Sequence, residues 1–183
     1  ALREALPFKL TSPNATDPVE IVLAFMAGVL VGSRRLAHVE RLRWDEGVRR
    51  ILGLERFVSD TTLSRFFRRF SSGSVTAVFE SLMRWQMGLI KLEGEILDLD
   101  SSVVERDGKQ EGTQLGYNPK KHRRPSHHPL LAVLGKRPWV VHAWLRSGNT
   151  TSASNAEQFL EEALAMLPAD VKIKHLRGDS GFG

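Results

Sequence analysis

Three aspartates stand where they could hold a divalent cation. Asp98 and Asp100 lie two residues apart in an apolar, β-prone run that begins at Glu95, and Asp179 follows a second apolar run, Val171 to Leu176. Alternate residues of a strand share a face, so Asp98 and Asp100 project from the same side. Carboxylates at the carboxyl ends of neighbouring strands suit Mg²⁺ or Mn²⁺, the ions of two-metal phosphoryl transfer. The spacing therefore predicts metal-dependent phosphoryl transfer.

Each acidic site also has a purely structural interpretation. One residue of the pair Asp98 and Asp100 would cap a turn or pair with a nearby arginine. Asp179, flanked by Gly178 and Gly181, would form an Asx turn at the end of its strand. The chain has no cysteine, which excludes disulfides, thiolate zinc sites and cysteine nucleophiles. A bound metal must therefore sit on oxygen or imidazole ligands.

A basic segment lies between these two acidic sites. Residues 118–128 concentrate cations and histidines: Lys120, Lys121, His122, Arg123, Arg124, His127 and His128. Its predicted role is contact with DNA phosphates, which positions a duplex without reading its bases. A solvated loop is one alternative, and a zinc site formed by the three histidines is another, although the neighbouring cations oppose it.

Positive charge also follows one helix of the amino-terminal part. Ser59 can cap a helix from Asp60 to Phe70, in which apolar residues recur at helical spacing. Three arginines fall largely off that stripe: Arg65, Arg68 and Arg69. A helical pattern covers residues 36–52, and with the short helix from Asp45 to Leu52 and a turn through Gly53 before it, this helix has the size of a helix-turn-helix DNA reader. The alternative is a core-facing stripe with a solvated basic face.

Charge and patterning give the overall setting. The chain of 183 residues carries 26 Lys and Arg against 21 Asp and Glu, a net charge of +5, which favours a polyanionic partner such as nucleic acid. Its most apolar stretch, residues 19–32, is shorter than the roughly 20 residues that a membrane-spanning helix needs. No secretion signal precedes that stretch, so we expect a cytoplasmic protein.

The patterns divide the chain into two parts with a boundary between residues 93 and 94. Helical periodicity dominates residues 1–93, which we interpret as a helical, DNA-binding domain. Residues 94–183 follow the order strand, strand, strand, helix, strand, typical of the first part of an α/β domain. The sequence therefore predicts an α+β fold whose second domain is incomplete.

Six short motifs, taken together, resemble the DDE-type insertion-sequence transposases, whose catalytic domain has the ribonuclease-H-like fold. They are Leu-Asp-Leu-Asp-Ser-Ser at 97–102, Gln-Glu-Gly at 110–112, Gly-Tyr-Asn-Pro-Lys-Lys at 116–121, His-His-Pro-Leu-Leu at 127–131, Leu-Arg-Ser-Gly-Asn at 145–149 and Arg-Gly-Asp-Ser-Gly-Phe at 177–182. The resemblance covers essentially the whole chain. It implies that residues 94–183 are the first part of a ribonuclease-H-like catalytic domain.

The resemblance also implies the catalytic residues. The first catalytic Asp of the family precedes a small or hydroxylated residue in the first strand, which maps to Asp100, with Asp98 as a less favoured metal ligand. The second maps to Asp179, before Gly181. The third, a Glu on a later helix, has no counterpart before Gly183, so we expect this chain by itself to be inactive or nearly so.

The implied parent is a homodimeric DNA transposase that uses Mg²⁺ or Mn²⁺. In such an enzyme water hydrolyses DNA at the element ends, and the freed 3′ hydroxyl attacks target DNA. Two other functions also fit the sequence. One is a non-catalytic DNA-binding protein derived from a transposase, and the other is a ribonuclease-H-like nuclease without strand transfer.

Overall fold

The computed structural model describes residues 1–9, 12–54, 56–92, 95–107, 110–116, 123–135 and 138–182. The chain forms two compact units, Ala1–Leu82 and Met83–Gly183. The described elements of the first unit are helical and the second combines sheet with helix, which confirms the α+β class. The division between the units falls inside a helix, so the domain boundary between residues 93 and 94 stays a prediction. No described helix has the length and apolar character needed to cross a membrane.

Short helices build the first unit. They are α1 (Leu2–Ala5), α2 (Pro18–Leu30), α3 (Leu36–Val39), α4 (Glu46–Ile51) and α5 (Asp60–Phe67), and α6 (Ser72–Gly88) begins in this unit. Ser59 Oγ accepts a hydrogen bond from Thr62 N at 3.2 Å, which confirms the predicted cap of α5. The helical pattern of residues 36–52 is interrupted, because Asp45 has an extended backbone and its side chain caps α4 instead of continuing a helix.

An aromatic core explains the periodicity of α5. Leu63 and Phe66 are buried, and the Phe66 ring makes edge-to-face contacts with Phe8 and Phe70 at centroid distances of 5.5 and 5.4 Å. Such contacts add to the free energy gained from burial of the rings. The stripe of α5 is therefore the core of the first unit, as its structural interpretation requires.

Two sheets organise the second unit. The strands are β1 (Glu95–Ser101), β2 (Val104–Glu105), β3 (Gln114–Leu115), β4 (Pro125–His127), β5 (Leu130–Leu134), β6 (Val140–Trp144) and β7 (Ile173–Gly178), with α7 (Ala156–Ala165) before β7. The larger sheet has the order β6-β5-β1-β7, in which β5 is antiparallel to β1 and β6, and β7 is parallel to β1. Its chain order agrees with the predicted strand, strand, strand, helix, strand.

The smaller sheet, β2-β4-β3, was not predicted. Its strands lie between residues 104 and 127, a mostly polar stretch in which the sequence patterns predicted no separate sheet. Each of them has only two or three residues. A strand of that length is too short to show an alternating pattern of apolar and polar residues.

Strand alternation separates the core from the acidic face of the larger sheet. Leu97 and Leu99 of β1 are buried in a cluster that includes Phe159 and Ala163 of α7. The alternate residues of β1 therefore point away from that cluster, and Asp100 on this second face is exposed. The packing of α7 on one face thus directs the carboxylates of β1 to the other.

Glu162 on α7 links the helix to β6 through hydrogen bonds. Its Oε2 accepts from Trp144 Nε1 at 2.8 Å and lies 3.0 Å from His142 Nε2, while Gln158 Nε2 donates to Oε1 at 2.9 Å. Burial raises the pKa of the Glu162 carboxyl, but these hydrogen bonds outweigh burial and hold the pKa below its ordinary value of 4.5. The folded state therefore favours the ionised carboxylate.

This shift predicts a pH-dependent contribution to stability. A group whose pKa is lower in the folded state stabilises the fold above its unfolded pKa and loses that contribution as the pH falls. We expect Glu162→Gln to lower the free energy of unfolding by about 1 kcal/mol at pH 7, because the side chain is partly exposed. The difference from the wild type should shrink below pH 4.5 in urea titrations at several pH values. A difference that stays constant down to pH 3 would contradict the role of the carboxylate.

Candidate functional site

The parallel pairing of β1 and β7 brings two acidic positions to one edge of the sheet. The register pairs Asp98 with Arg177 and Leu99 with Gly178. Asp100 and Asp179 are the next residues after this last pair, near the carboxyl end of β1 and directly after β7. Open sheets that contain parallel strands bind ligands at such an edge.

Asp98 has a partner of its own. Arg177 Nε and Nη2 donate to its two carboxylate oxygens at 2.6 and 2.7 Å, and these bonds hold the pKa of Asp98 below its ordinary value. Gly135 provides the space for this bidentate pair, since a methyl group there would lie 2.7 Å from Asp98 Oδ2 and 2.8 Å from Arg177 Nη2. The contact supports the structural interpretation of Asp98 as the partner of an arginine.

Asp100 and Asp179 differ from Asp98 in their surroundings. Both are exposed, and within the described ranges the carboxylate of Asp100 makes no hydrogen bond or ion pair. Asp179 Oδ1 accepts from Gly181 N at 2.8 Å, which is the Asx turn of its structural interpretation. Its Oδ2 has no hydrogen bond to any described residue. No group of three or more His, Cys, Asp or Glu that could hold a metal occurs among the described residues.

Hydrogen bonds connect the segments around this edge. Ser101, next to Asp100, shares a hydrogen bond with Ser152, with the two Oγ atoms 2.7 Å apart. His128 Nε2 lies 3.2 Å from Ser101 Oγ, and His128 Nδ1 lies 2.7 Å from Thr150 O. Sequence reasoning missed this network, which joins residues up to 51 positions apart. The only signal was the presence of Ser101 and His128 in two of the short motifs.

A buried arginine holds the loop that carries Ser152. Arg146 is 9% exposed, its Nε donates to His128 O at 3.1 Å, and its Nη1 donates to Ser154 O at 2.9 Å. Burial lowers the pKa of its guanidinium. Arg146 lies two residues after β6, so its bonds attach the start of the following loop to the backbone of residues 128 and 154.

The basic segment of residues 118–128 is only partly described. Lys120, Lys121 and His122 lie outside the described residues. Arg123 is exposed with a positive φ of 63°, and Arg124 Nη1 forms an exposed ion pair with Asp107 Oδ1. An exposed pair of this kind contributes little to stability, so a phosphate can replace Asp107 as the partner of Arg124.

The arginines of α5 and its C-terminal end lie on the surface of the first unit. Arg65 and Arg68 are exposed and have no carboxylate partner among the described residues. The Arg69 guanidinium stacks over the Phe8 ring at 4.0 Å from its centroid. The connection from residue 52 to residue 59 is longer than the three- or four-residue turn of a helix-turn-helix. The reading of this segment as a helix-turn-helix stays a prediction.

Comparison with known proteins identifies the family. No curated protein and no solved structure matches the chain. The model of one family, transposase DDE domain group 1, matches residues 9–183. The match covers both acidic positions at the carboxyl ends of β1 and β7, and all of the motifs between them. The chain therefore belongs to the DDE-domain transposase family, group 1.

Proposed function

We propose that this chain supplies two metal-binding carboxylates, Asp100 and Asp179, to a transposase that cuts DNA and joins the cut ends to a target. The observation that carries the proposal is the register of β1 and β7, in which Leu99 pairs with Gly178 and the two aspartates follow directly. Membership of a transposase family implies DNA as the substrate. We infer that the complete protein acts on DNA as a cytoplasmic homodimer.

The donor set fits Mg²⁺ or Mn²⁺. Both ions prefer carboxylate oxygens, and the exposed carboxylates of Asp100 and Asp179 offer oxygens without a partner among the described residues. Asp98 fits this task less well, because Arg177 already occupies both of its oxygens. We therefore assign metal binding to Asp100 and Asp179 and a structural ion pair to Asp98.

Each carboxylate has a fixed backbone around it. Asp100 is the second-last residue of β1 and pairs with Leu131 of β5, while β7 pairs with β1 up to Leu99; the Asx turn fixes the Asp179 side chain. When bound, divalent cations activate the attacking oxygen and stabilise the leaving oxygen of a phosphodiester. Strand pairing thus fixes the backbone at Asp100 and the Asx turn fixes the Asp179 carboxylate before substrate binds, and such positioning favours phosphoryl transfer.

The deciding experiment uses the complete gene product and labelled DNA that includes both flanks of its gene. Strand cleavage and joining to a plasmid target are measured with Mg²⁺, with Mn²⁺ and with EDTA. We expect metal-dependent cleavage followed by joining of the 3′ end to the plasmid. Cleavage without joining would favour the nuclease alternative. DNA binding with neither reaction would favour the non-catalytic DNA-binding protein.

Phosphate contacts are proposed for the exposed cations. The residues are Lys120, Lys121, Arg123 and Arg124 of the basic segment, with Arg65, Arg68 and Arg69 at α5. Each such contact releases condensed counterions from DNA, so it contributes to the salt dependence of binding. The contribution of a single contact can therefore be measured without knowing the bound sequence.

Arg68→Ala should reduce the slope of log binding constant against log salt concentration by about 1, with weaker binding to all sequences. The measurement is fluorescence anisotropy of labelled duplexes at several salt concentrations. Arg43→Ala is the matched control, because Arg43 Nη1 already pairs with Glu40 Oε1 at 2.9 Å. An unchanged slope for Arg68→Ala, or equal changes in both variants, would refute a phosphate contact at Arg68.

A further inference from the structure

We infer that His128 is a positioning residue for the proposed metal site: through Ser101 and Ser152 it holds the ends of β1 and β7 and the loop after β6 in one arrangement. The inference rests on the proposed function of Asp100 and Asp179. It concerns a side chain that touches neither carboxylate, and that acts through two serine hydroxyl groups.

The direction of each hydrogen bond follows from the carbonyl group in the network. A carbonyl oxygen can only accept, so His128 Nδ1 carries a proton and donates to Thr150 O at 2.7 Å. In the neutral ring Nε2 is then an acceptor, and it accepts from Ser101 Oγ at 3.2 Å. Ser101 has one hydroxyl proton, so Ser152 Oγ donates to Ser101 Oγ at 2.7 Å. The geometry thus specifies one tautomer of His128 and one direction for the chain of bonds.

Ser152, at one end of this series of hydrogen bonds, lies beside the turn of Asp179. A methyl group at Gly181 would lie 2.9 Å from Ser152 Oγ and 3.0 Å from Asp179 Oδ1. Gly181 also donates its N–H to Asp179 Oδ1 at 2.8 Å, so the Asx turn packs directly on Ser152. The hydroxyl of Ser152 therefore connects the turn of Asp179 with Ser101, the neighbour of Asp100.

At the other end of this series of hydrogen bonds, the backbone of His128 is attached to Arg146. His128 N donates to Arg146 O at 2.9 Å, and His128 O accepts from Arg146 Nε at 3.1 Å. Arg146 is buried, so this attachment is shielded from water. If the His128 ring moved, it would lose its hydrogen bond to Ser101, while the bonds between the His128 backbone and Arg146 would remain. The His128 ring therefore links the buried Arg146 to Ser101 and Ser152, the serines next to the two aspartates.

The tautomer is tested first, in metal-free protein labelled with ¹⁵N-histidine. Long-range ¹H–¹⁵N spectra should show His128 with Nδ1 protonated and Nε2 bare, and Ser101→Ala should shift the Nε2 resonance. A His128 ring protonated at Nε2 and bare at Nδ1 would overturn the network, because that ring cannot donate to Thr150 O.

Metal affinity tests the positioning. The complete gene product and its variants are titrated with Mn²⁺, and free Mn²⁺ is measured by electron paramagnetic resonance. An Asn side chain at position 128 keeps an N–H donor near Thr150 O but is too short to bond Ser101 Oγ. A Gln side chain is long enough to bond Ser101 Oγ. We expect His128→Asn to weaken Mn²⁺ binding roughly tenfold and to lower kcat with little change in KM for DNA, and His128→Gln to restore most of the loss. His175→Asn, at an exposed position of β7, is the control.

The outcomes separate the two proposals. If the wild type binds no Mn²⁺ and cuts no DNA, the proposed function fails and the positioning role fails with it. If the wild type binds Mn²⁺ and the His128→Asn affinity is within twofold, the positioning role alone is overturned. Thermal melting checks that each variant is folded, and Ser101→Ala, which breaks the same link, replaces His128→Asn if that variant unfolds.

Discussion

Replacement of Asp100 by Ala is expected to lower the rate of metal-dependent DNA cleavage by the complete gene product about a thousandfold. The substitution removes one of the two carboxylates that we propose as metal ligands, at the edge where β1 meets β7. Loss of several kcal/mol of transition-state stabilisation corresponds to a change of this size, since each 1.4 kcal/mol is about a factor of ten. Single-turnover cleavage of labelled DNA at saturating Mg²⁺ measures the effect, and Asp179→Ala should give a similar loss.

Asp98→Ala is the matched control for this prediction. Asp98 lies on the same strand and on the same face, but its carboxylate is bound by Arg177. The pair is exposed to solvent, so its loss costs little stability. We expect cleavage by this variant to fall less than tenfold. Equal losses in Asp98→Ala and Asp100→Ala would show that the effect comes from removal of negative charge rather than from a lost metal ligand.

Phe159→Ala should destabilise the second unit by about 3 to 5 kcal/mol, the usual cost of deleting a buried aromatic side chain. Phe159 is fully buried, stacks on the His142 ring at 5.0 Å and contacts Trp144 edge-to-face at 5.3 Å. Its removal leaves a cavity between α7 and the sheet, and such a cavity adds to the loss of buried apolar area. Urea unfolding followed by circular dichroism measures the change.

Leu164→Ala provides the comparison on the same helix. Leu164 is 43% exposed, so its truncation removes less buried apolar area and leaves no enclosed cavity. We expect a loss of about 1 kcal/mol or less. If both variants lose the same stability, α7 stabilises the unit through its helical backbone and not through the packing of Phe159.

Local patterns predicted the parts of the structure that depend on local chemistry. The cap at Ser59 and the strand that carries Asp98 and Asp100 each follow from residues close together in sequence. The predicted short helix from Asp45 to Leu52 agrees with α4, because the Asp45 side chain caps that helix through Val48 N.

The connections within the candidate site depended on register between distant segments. Arg177 meets Asp98 across 79 positions, and Ser101 meets Ser152 across 51. A shift of one residue in the pairing of β1 and β7 would have turned Arg177 to the opposite face. Sequence spacing predicts which residues of one strand share a face, but only the assembled sheet determines which residue of the next strand lies beside them.

The parallel pairing of β1 with β7 also has a consequence for the order of folding. β5 and β6 form a hairpin from neighbouring residues, whereas β7 reaches β1 only after a crossover through α7. Contacts between distant segments carry a larger loop-closure cost and form more slowly. We therefore expect a nascent chain to complete its hairpin first and to bring its two acidic strand ends together in the last step, so that the proposed metal site forms only when β7 has docked.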